Sequence, residues 1–426
     1  MLKKLILPII FATVAAYLFY SAYQQRSVAT FLWAISFSLA CLASTTSLLR
    51  DAVIVIISLT VTMALVETGL AYAPDLMGKK PDTGINTGKD KSVFAYFDSA
   101  QTYNTPAYWH LGQFGSQPQP GVFTAKKVAS NGDVLYDTIF TIGKDGFRVT
   151  PKYDANLAPK TTSDKSSHRI NFLGDSFTFG EGVADNETMS FYAGDLLNNG
   201  KAPSNLKAYT PLVVKNYGIH GWGIHQSLAV LQSQLDTKAD VQVVLTAPWH
   251  ASRVACADFF SLGSPKYQLE PSGEVNRDGY CRSFAWIEHS PKALRALITS
   301  SKIFNLIQDS LLVTTDQDKQ IELYLGVLKT MALESKKRGE RLVVGFIKAD
   351  EAWFIGTYNN DKVLAKIKSM GIDTVDLTLA AKNEDLPRKY YIHELDKHPT
   401  AAANLERVKR ILDHLLSNHA APKIPS

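Results

Sequence analysis

Apolar and polar positions divide the chain into three regimes. Over the first 74 residues the apolar positions come in long blocks: Leu5–Tyr23, Val28–Leu49, and Ala52–Ala73 with the single carboxylate Glu67. A bilayer-spanning helix needs roughly 20 such residues, so the pattern predicts three membrane spans. Lys3 and Lys4 would suit the start of a cleaved signal peptide. However, Leu5–Tyr23 is long for a signal core, lacks a clear small-x-small site, and is followed at once by two more apolar blocks. Lys3, Lys4 and Arg50, set against Arg26 alone, place the amino terminus and the Arg50 turn in the cytoplasm. Three crossings then put everything after Pro74 outside. Glu67 is the weak point, because a carboxylate within a bilayer is costly. If that block does not cross, the remainder lies in the cytoplasm.

Residues 75–168 alternate between polar linkers and short runs of period two. Asp75–Lys91 and Pro159–His168 are polar and aperiodic. Between them, Val134, Tyr136, Thr138, Phe140 and Ile142 alternate along one run, and Lys144-Asp-Gly146 is a turn signal. This predicts a small β-rich region.

From Arg169 the period switches repeatedly. Ile170–Leu173, Leu212–Val214, Val241–Leu245, Leu342–Ile347 and Thr374–Leu377 are short apolar runs that predict strands. Thr188–Leu197, Gln226–Leu235, Pro291–Leu312, Lys319–Lys337 and Ala401–Ser417 have helical spacing. Alternating strands and helices predict an α/β domain over 169–426: a three-layer α/β/α sandwich around a parallel, flavodoxin-like sheet. Pro265–Gly273 reads as an inserted loop or hairpin after the third strand.

Charge adds one exclusion. The formal net charge of +5 comes from scattered Lys and Arg without basic blocks, so a nucleic-acid partner is not expected. No Cys/His ligand cluster or phosphate loop occurs, so neither a metal nor an organic cofactor is expected. Cys256 and Cys281 either close a disulfide loop, if this part is exported, or are two unrelated core residues.

Three stretches combine chemistry-bearing residues with strand-to-helix junctions. Gly174-Asp175-Ser176 follows the first apolar run, where an open α/β sheet places ligands and a helix start exposes N–H groups. Its plainer reading is a turn with a serine cap. Asn216-Tyr-Gly-Ile-His-Gly221 follows the second run, and its glycines admit close approach of the backbone. Its plainer reading is a simple connection. Asp396-Lys-His398-Pro399 precedes the last helix, and a carboxylate so close can fix a histidine tautomer. Its plainer reading is a capped helix with a surface histidine.

Together, and in this order, the three blocks resemble the SGNH (GDSL-type) hydrolases over roughly Arg169–Leu416. The resemblance implies Ser176 as nucleophile, His398 as base and Asp396 as its acid partner. It also implies an oxyanion hole from the N–H groups of Ser176 and Gly221. The family's third block ends in an Asn that donates to the oxyanion. Here the third strand runs on through Ala247-Pro-Trp-His250-Ala-Ser-Arg253 without one. Either His250 or Arg253 substitutes, or the hole is incomplete. The resemblance further implies a serine esterase acting on an acylated small molecule, glycan or lipid ester. An O-acyltransferase on polysaccharide and a non-catalytic glycan-binding or assembly protein are the alternatives. Residues Val134–Arg148 and Ser176–Val183 also resemble the membrane-anchored or exported bacterial members. With the three apolar blocks and their charge bias, the expected location is the inner membrane, with residues 169–426 facing the periplasm or exterior. No protein partner is indicated.

Overall fold

The computed structural model describes residues 13–15, 17–18, 32–38, 50–72, 109–128, 132–154, 168–198, 212–261, 263–281, 301, 303, 316–379, 387–393 and 396–417. The linker expected at Asp75–Lys91 lies outside them, as do most of the linker before His168 and most of the helix expected at Pro291–Leu312. The described residues fall into two compact units: residues up to 72 with 301 and 303, and residues 109–281 with 316–417.

In the first unit the helix Arg50–Tyr72 runs for 23 residues. Ser36 Oγ donates to Thr60 Oγ1 at 3.0 Å. Glu67 is buried and accepts from Ser301 Oγ at 3.2 Å and Ile303 N at 2.9 Å. Among the described residues no helix is long and apolar enough to cross a membrane, so the three expected spans are not found there. The third coincides with the helix Arg50–Tyr72, while most of the first and second lie outside the described residues.

The second unit begins with two antiparallel pairs: β1 (Trp109–Gly112) with β2 (Gly115–Pro118), and β3 (Gly121–Val128) with β4 (Val134–Ile142). This is the β-rich region that the alternation predicts, and it belongs to the same compact unit as the main sheet.

That sheet contains β5 (His168–Gly174), β6 (Leu212–Gly218), β7 (Val241–Thr246), β10 (Arg341–Phe346) and β11 (Asp373–Asp376). Two hairpins lie outside it: β8 (Pro265–Leu269) with β9 (Val275–Tyr280), and β12 (Tyr391–His393) with β13 (Asp396–Pro399). Every neighbouring pair in the main sheet is parallel, in the order β11-β10-β7-β5-β6. Numbered along the chain within the sheet, this is the 2-1-3-4-5 order of flavodoxin-like folds. Their switch point lies between the first and third strands, here β5 and β7.

The strands β6 and β7 are buried along their length, as parallel strands covered on both faces must be. Neighbouring residues face opposite layers. Leu173, Val244 and Val344 join one core, which includes Leu228 of the helix Ile224–Leu231, Leu328 of Gln317–Lys337 and Val363 of Asn360–Ser369. Phe172, Val243 and Val343 join the other, with Ala193 of Met189–Asn198 and Val408, Ile411 and Leu415 of Ala401–Ser417. Spacing of three and four along the last helix gives it one apolar stripe. The result is an α/β/α sandwich.

Candidate active site

Ser176 opens the short helix Ser176–Phe179 just past the carboxyl end of β5. The turn before it is tight. A Cβ at Gly174 (φ +153°) would come within 2.9 Å of the Leu245 carbonyl oxygen on β7. Asp175 caps the helix by accepting from Phe177 N at 2.9 Å.

Residue 398, 222 positions later in the chain, meets this serine. His398 Nε2 lies 2.9 Å from Ser176 Oγ. Its Nδ1 lies 2.5 Å from Asp396 Oδ1, which also accepts from the His398 main-chain N at 3.1 Å. A carboxylate can only accept, so Nδ1 carries the proton and Nε2 is left to accept from the serine hydroxyl. Burial alone would raise the Asp396 pKa, but His398 and Lys127 hold it well below the usual carboxylate range. Burial disfavours charge on His398. The Asp396 and Glu181 carboxylates outweigh that, with Lys127 opposing them, and its pKa is raised.

Gly221 lies buried on the loop after β6, next to His220, whose ring centroid is 6.2 Å from that of His398. Among the described residues, no hydrogen bond from a protein acceptor engages the main-chain N–H of Ser176 or of Gly221.

The expected substitutes for the absent Asn are engaged elsewhere. His250 Nε2 lies 2.9 Å from Asp175 Oδ2, and its Nδ1 lies 3.3 Å from Thr246 Oγ1. Arg253 Nη1 donates to the same Asp175 oxygen at 3.1 Å and to the Trp222 carbonyl at 2.8 Å. The physical reason is the burial of Asp175. A carboxylate with almost no solvent contact requires hydrogen-bonding partners, at least one of them charged; Arg253 supplies the charge and His250 a second ring contact. Burial would raise the Asp175 pKa, but His250 and Arg253 together hold it far down. Both ring nitrogens of His250 are thus occupied, and burial lowers its own pKa despite Asp175. His250 therefore has no ring nitrogen to spare, whereas Arg253 Nε makes no hydrogen bond and lies 3.7 Å from Asp258 Oδ2.

Several groups at the site have no signal in the sequence. Lys127 on β3 donates to Asp396 Oδ2 at 2.8 Å. Tyr136 on β4 donates to Glu181, whose other oxygen lies 3.3 Å from His220 Nδ1. Phe177 packs against both His398 and Trp249, at 5.6 and 5.8 Å between ring centroids. No periodicity or spacing marks a lysine in a hairpin as the partner of an aspartate 269 residues away. Cys256 and Cys281 form a disulfide with their Cα atoms 5.2 Å apart, so they are bonded partners and not two unrelated core residues. Among the described residues, no cluster of His, Cys, Asp and Glu could hold a metal ion.

No protein-family model and no curated protein sequence matches the chain. Among solved structures it is similar to a protein assigned to the G-D-S-L lipolytic family from Desulfitobacterium hafniense DCB-2. That pair shares 10% identity at a TM-score of 0.32, covering 58% of this chain and 99% of the other. A member of the lipolytic protein G-D-S-L family from Veillonella parvula DSM 2008 shares 9% identity at a TM-score of 0.32, covering 58% and 97%. Within the chain itself, the sheet has the 2-1-3-4-5 order of flavodoxin-like folds, and the first and last sequence blocks meet at one edge of it.

Proposed function

We propose that this protein is a serine esterase that acts through Ser176, His398 and Asp396. The observation that carries the reading is the unbroken line from Asp396 Oδ1 through His398 to Ser176 Oγ, with contacts of 2.5 and 2.9 Å. Ser176 Oγ attacks the ester carbonyl carbon while His398 Nε2 takes the hydroxyl proton. The main-chain N–H groups of Ser176 and Gly221 hold the oxyanion. Collapse breaks the carbon–oxygen bond of the leaving alcohol, which receives the proton from His398. A second hydroxyl, deprotonated by His398, then releases the acyl group and restores the serine. Asp396 orients the imidazole and stabilises its cation without itself taking a proton.

The substrate we favour is an acyl ester on an envelope glycan or lipid, with the catalytic domain outside the cytoplasm. The apolar amino-terminal blocks supply the anchor in this reading. The Cys256–Cys281 disulfide favours an oxidising compartment, where such bonds form and persist. Water as acceptor makes the protein a hydrolase, and a sugar hydroxyl makes it an acyltransferase, with the same residues in the same roles.

The test is a fluorophosphonate probe on the detergent-solubilised full chain, followed by an ester panel with and without a sugar acceptor. Labelling should be lost in Ser176→Ala, with ester turnover down at least 10³-fold. Labelling that persists in Ser176→Ala would remove Ser176 from the nucleophile role. Acylated sugar among the products would identify a transferase.

A further inference from the structure

The β3–β4 hairpin precedes the three blocks that resemble the SGNH fold, yet it reaches Asp396, the partner of His398, and Glu181, a carboxylate just after the nucleophile helix. The first is Asp396. Its Oδ1 is taken up by His398, and its Oδ2 accepts from Lys127 Nζ at 2.8 Å. The Asp396 side chain is 2% exposed and that of Lys127 21%, so the pair is only weakly screened by solvent. The second is Glu181, five residues after the serine and 2% exposed. One of its oxygens accepts from Tyr136 OH, and the other lies 3.3 Å from His220 Nδ1. The His220 ring lies between Phe260 and His398, with centroids at 5.5 and 6.2 Å. His398 therefore faces Asp396 on its own strand, Glu181 beyond the nucleophile helix, His220 on the loop after β6 and, through Asp396, Lys127 on β3. Phe177 contributes an uncharged face.

We propose that Lys127 and Glu181 are positioning residues of the triad, charges of opposite sign that the β3–β4 hairpin holds against Asp396 and His398. The inference rests on the serine-esterase reading above. Lys127 fixes the rotation of the Asp396 carboxylate, so that Oδ1 alone is presented to the imidazole. It also offsets part of the negative charge that stabilises the imidazolium. Glu181, whose carboxylate also favours the charged form of His398, restores that stabilisation, and its own contacts with Tyr136 and His220 keep it in place. Burial would raise the Glu181 pKa, but His220, His398 and Tyr136 together lower it to about 2. It therefore stays ionised wherever the enzyme would work.

The two charges act on His398 with opposite sign, and this separates positioning from mere support of the fold. The experiment measures the rate of fluorophosphonate labelling at Ser176 in the full-length protein as a function of pH. Lys127→Met removes a positive charge, so the acidic limb moves to higher pH. At pH 6, labelling relative to the variant's own plateau falls on the order of tenfold below wild type. Glu181→Gln removes a negative charge, and the limb moves to lower pH. Lys127→Arg keeps the charge and should return the limb to its wild-type position. Limbs that stay in place, or that move in the same direction in Lys127→Met and Glu181→Gln, would overturn the proposal. If Lys127→Met does not fold, Glu181→Gln and Lys127→Arg decide it: a limb unmoved in Glu181→Gln, or displaced in Lys127→Arg, sinks it. Absence of labelling at Ser176 in the wild type removes the esterase reading first, and this inference with it.

Discussion

Arg148 Nη1 donates to the Gly180 carbonyl at 2.6 Å, tying the β-rich region to the first turn after the nucleophile. The same guanidinium, fully buried, also donates to the carbonyls of Phe179 and Val183 at 3.0 and 2.7 Å and to Asp185 Oδ1 at 2.8 Å. It stacks on Phe140 at 4.3 Å. The segment that holds Ser176 and Glu181 is thereby fixed by one side chain. Arg148→Met would remove a charged donor shared by three carbonyls and break the buried ion pair with Asp185. The expected cost is about 3–5 kcal/mol of stability, read as a lower midpoint in urea. Unfolding that matches wild type would show that the Arg148 contacts are dispensable.

Gly218 ends β6 directly beneath the nucleophile helix. A Cβ there would come within 2.4 Å of Phe179 N and 2.7 Å of the Thr178 carbonyl carbon, both main-chain atoms with little freedom to yield. Gly218→Ala should therefore push the Ser176–Phe179 helix away from the sheet. A displacement on the order of 1 Å can cost about 10²-fold in rate. The expected result is loss of labelling at Ser176 of that order in a protein that still folds, checked by circular dichroism. Labelling at the wild-type rate would mean that the helix does not depend on this close approach.

Much of the α/β core could be read from the sequence because its signals are local. All five sheet strands lie where short apolar runs predict them, and the last helix spans Ala401–Ser417 as its spacing indicates. Within the β-rich region, the run Val134–Ile142 is β4 itself. What could not be read depends on distant contacts. Lys127 and Asp396 are 269 residues apart and meet only once the hairpin docks. His250 looked available for an oxyanion because it follows the third strand. Its engagement with Asp175 follows from burial of that carboxylate, which no one-dimensional pattern records. The helix Asn360–Ser369 was not anticipated either. Its buried positions reduce to Asn360, Val363 and Ile367, too few for a clear apolar stripe.

The Cys256–Cys281 bond, across a sequence separation of 25, closes a loop that carries both β8 and β9. Cross-linking a loop of this size stabilises by about 3 kcal/mol, chiefly by restricting the unfolded chain. Both cysteines are buried, so replacement by serine would add a polar group to an apolar position. Alanine at both sites is the cleaner variant. It should melt several degrees below wild type under oxidising conditions and equal to itself with or without reductant. A wild type whose melting temperature is also indifferent to reductant would show that the bond contributes nothing.

His225 is buried completely on the helix Ile224–Leu231, with Nε2 2.8 Å from Ser264 Oγ. Burial, with the nearby His250 and Arg253, lowers its pKa from 6.5 to about 3. In the unfolded chain the same ring takes up a proton near pH 6.5. Between these values the unfolded state binds a proton that the folded state refuses, so stability falls as pH falls. At pH 5 the penalty is about 2 kcal/mol, from 1.5 pH units below the unfolded value. His250, also lowered by burial, acts in the same direction. The depressed carboxylates Asp175, Glu181 and Asp396 stabilise above their unfolded values near pH 4 and change little in this range. His398, whose folded pKa is raised, contributes stability that is complete below pH 6.5 and is lost as pH rises through its folded value. The slope between pH 6.5 and 5 therefore belongs to the buried histidines. His225→Gln keeps a hydrogen-bonding group near Ser264 without the titration. Calorimetric melting at pH 7 and pH 5 should show a smaller drop in this variant than in wild type. An equal drop in both would mean that His225 already carries its proton in the folded protein or is not buried.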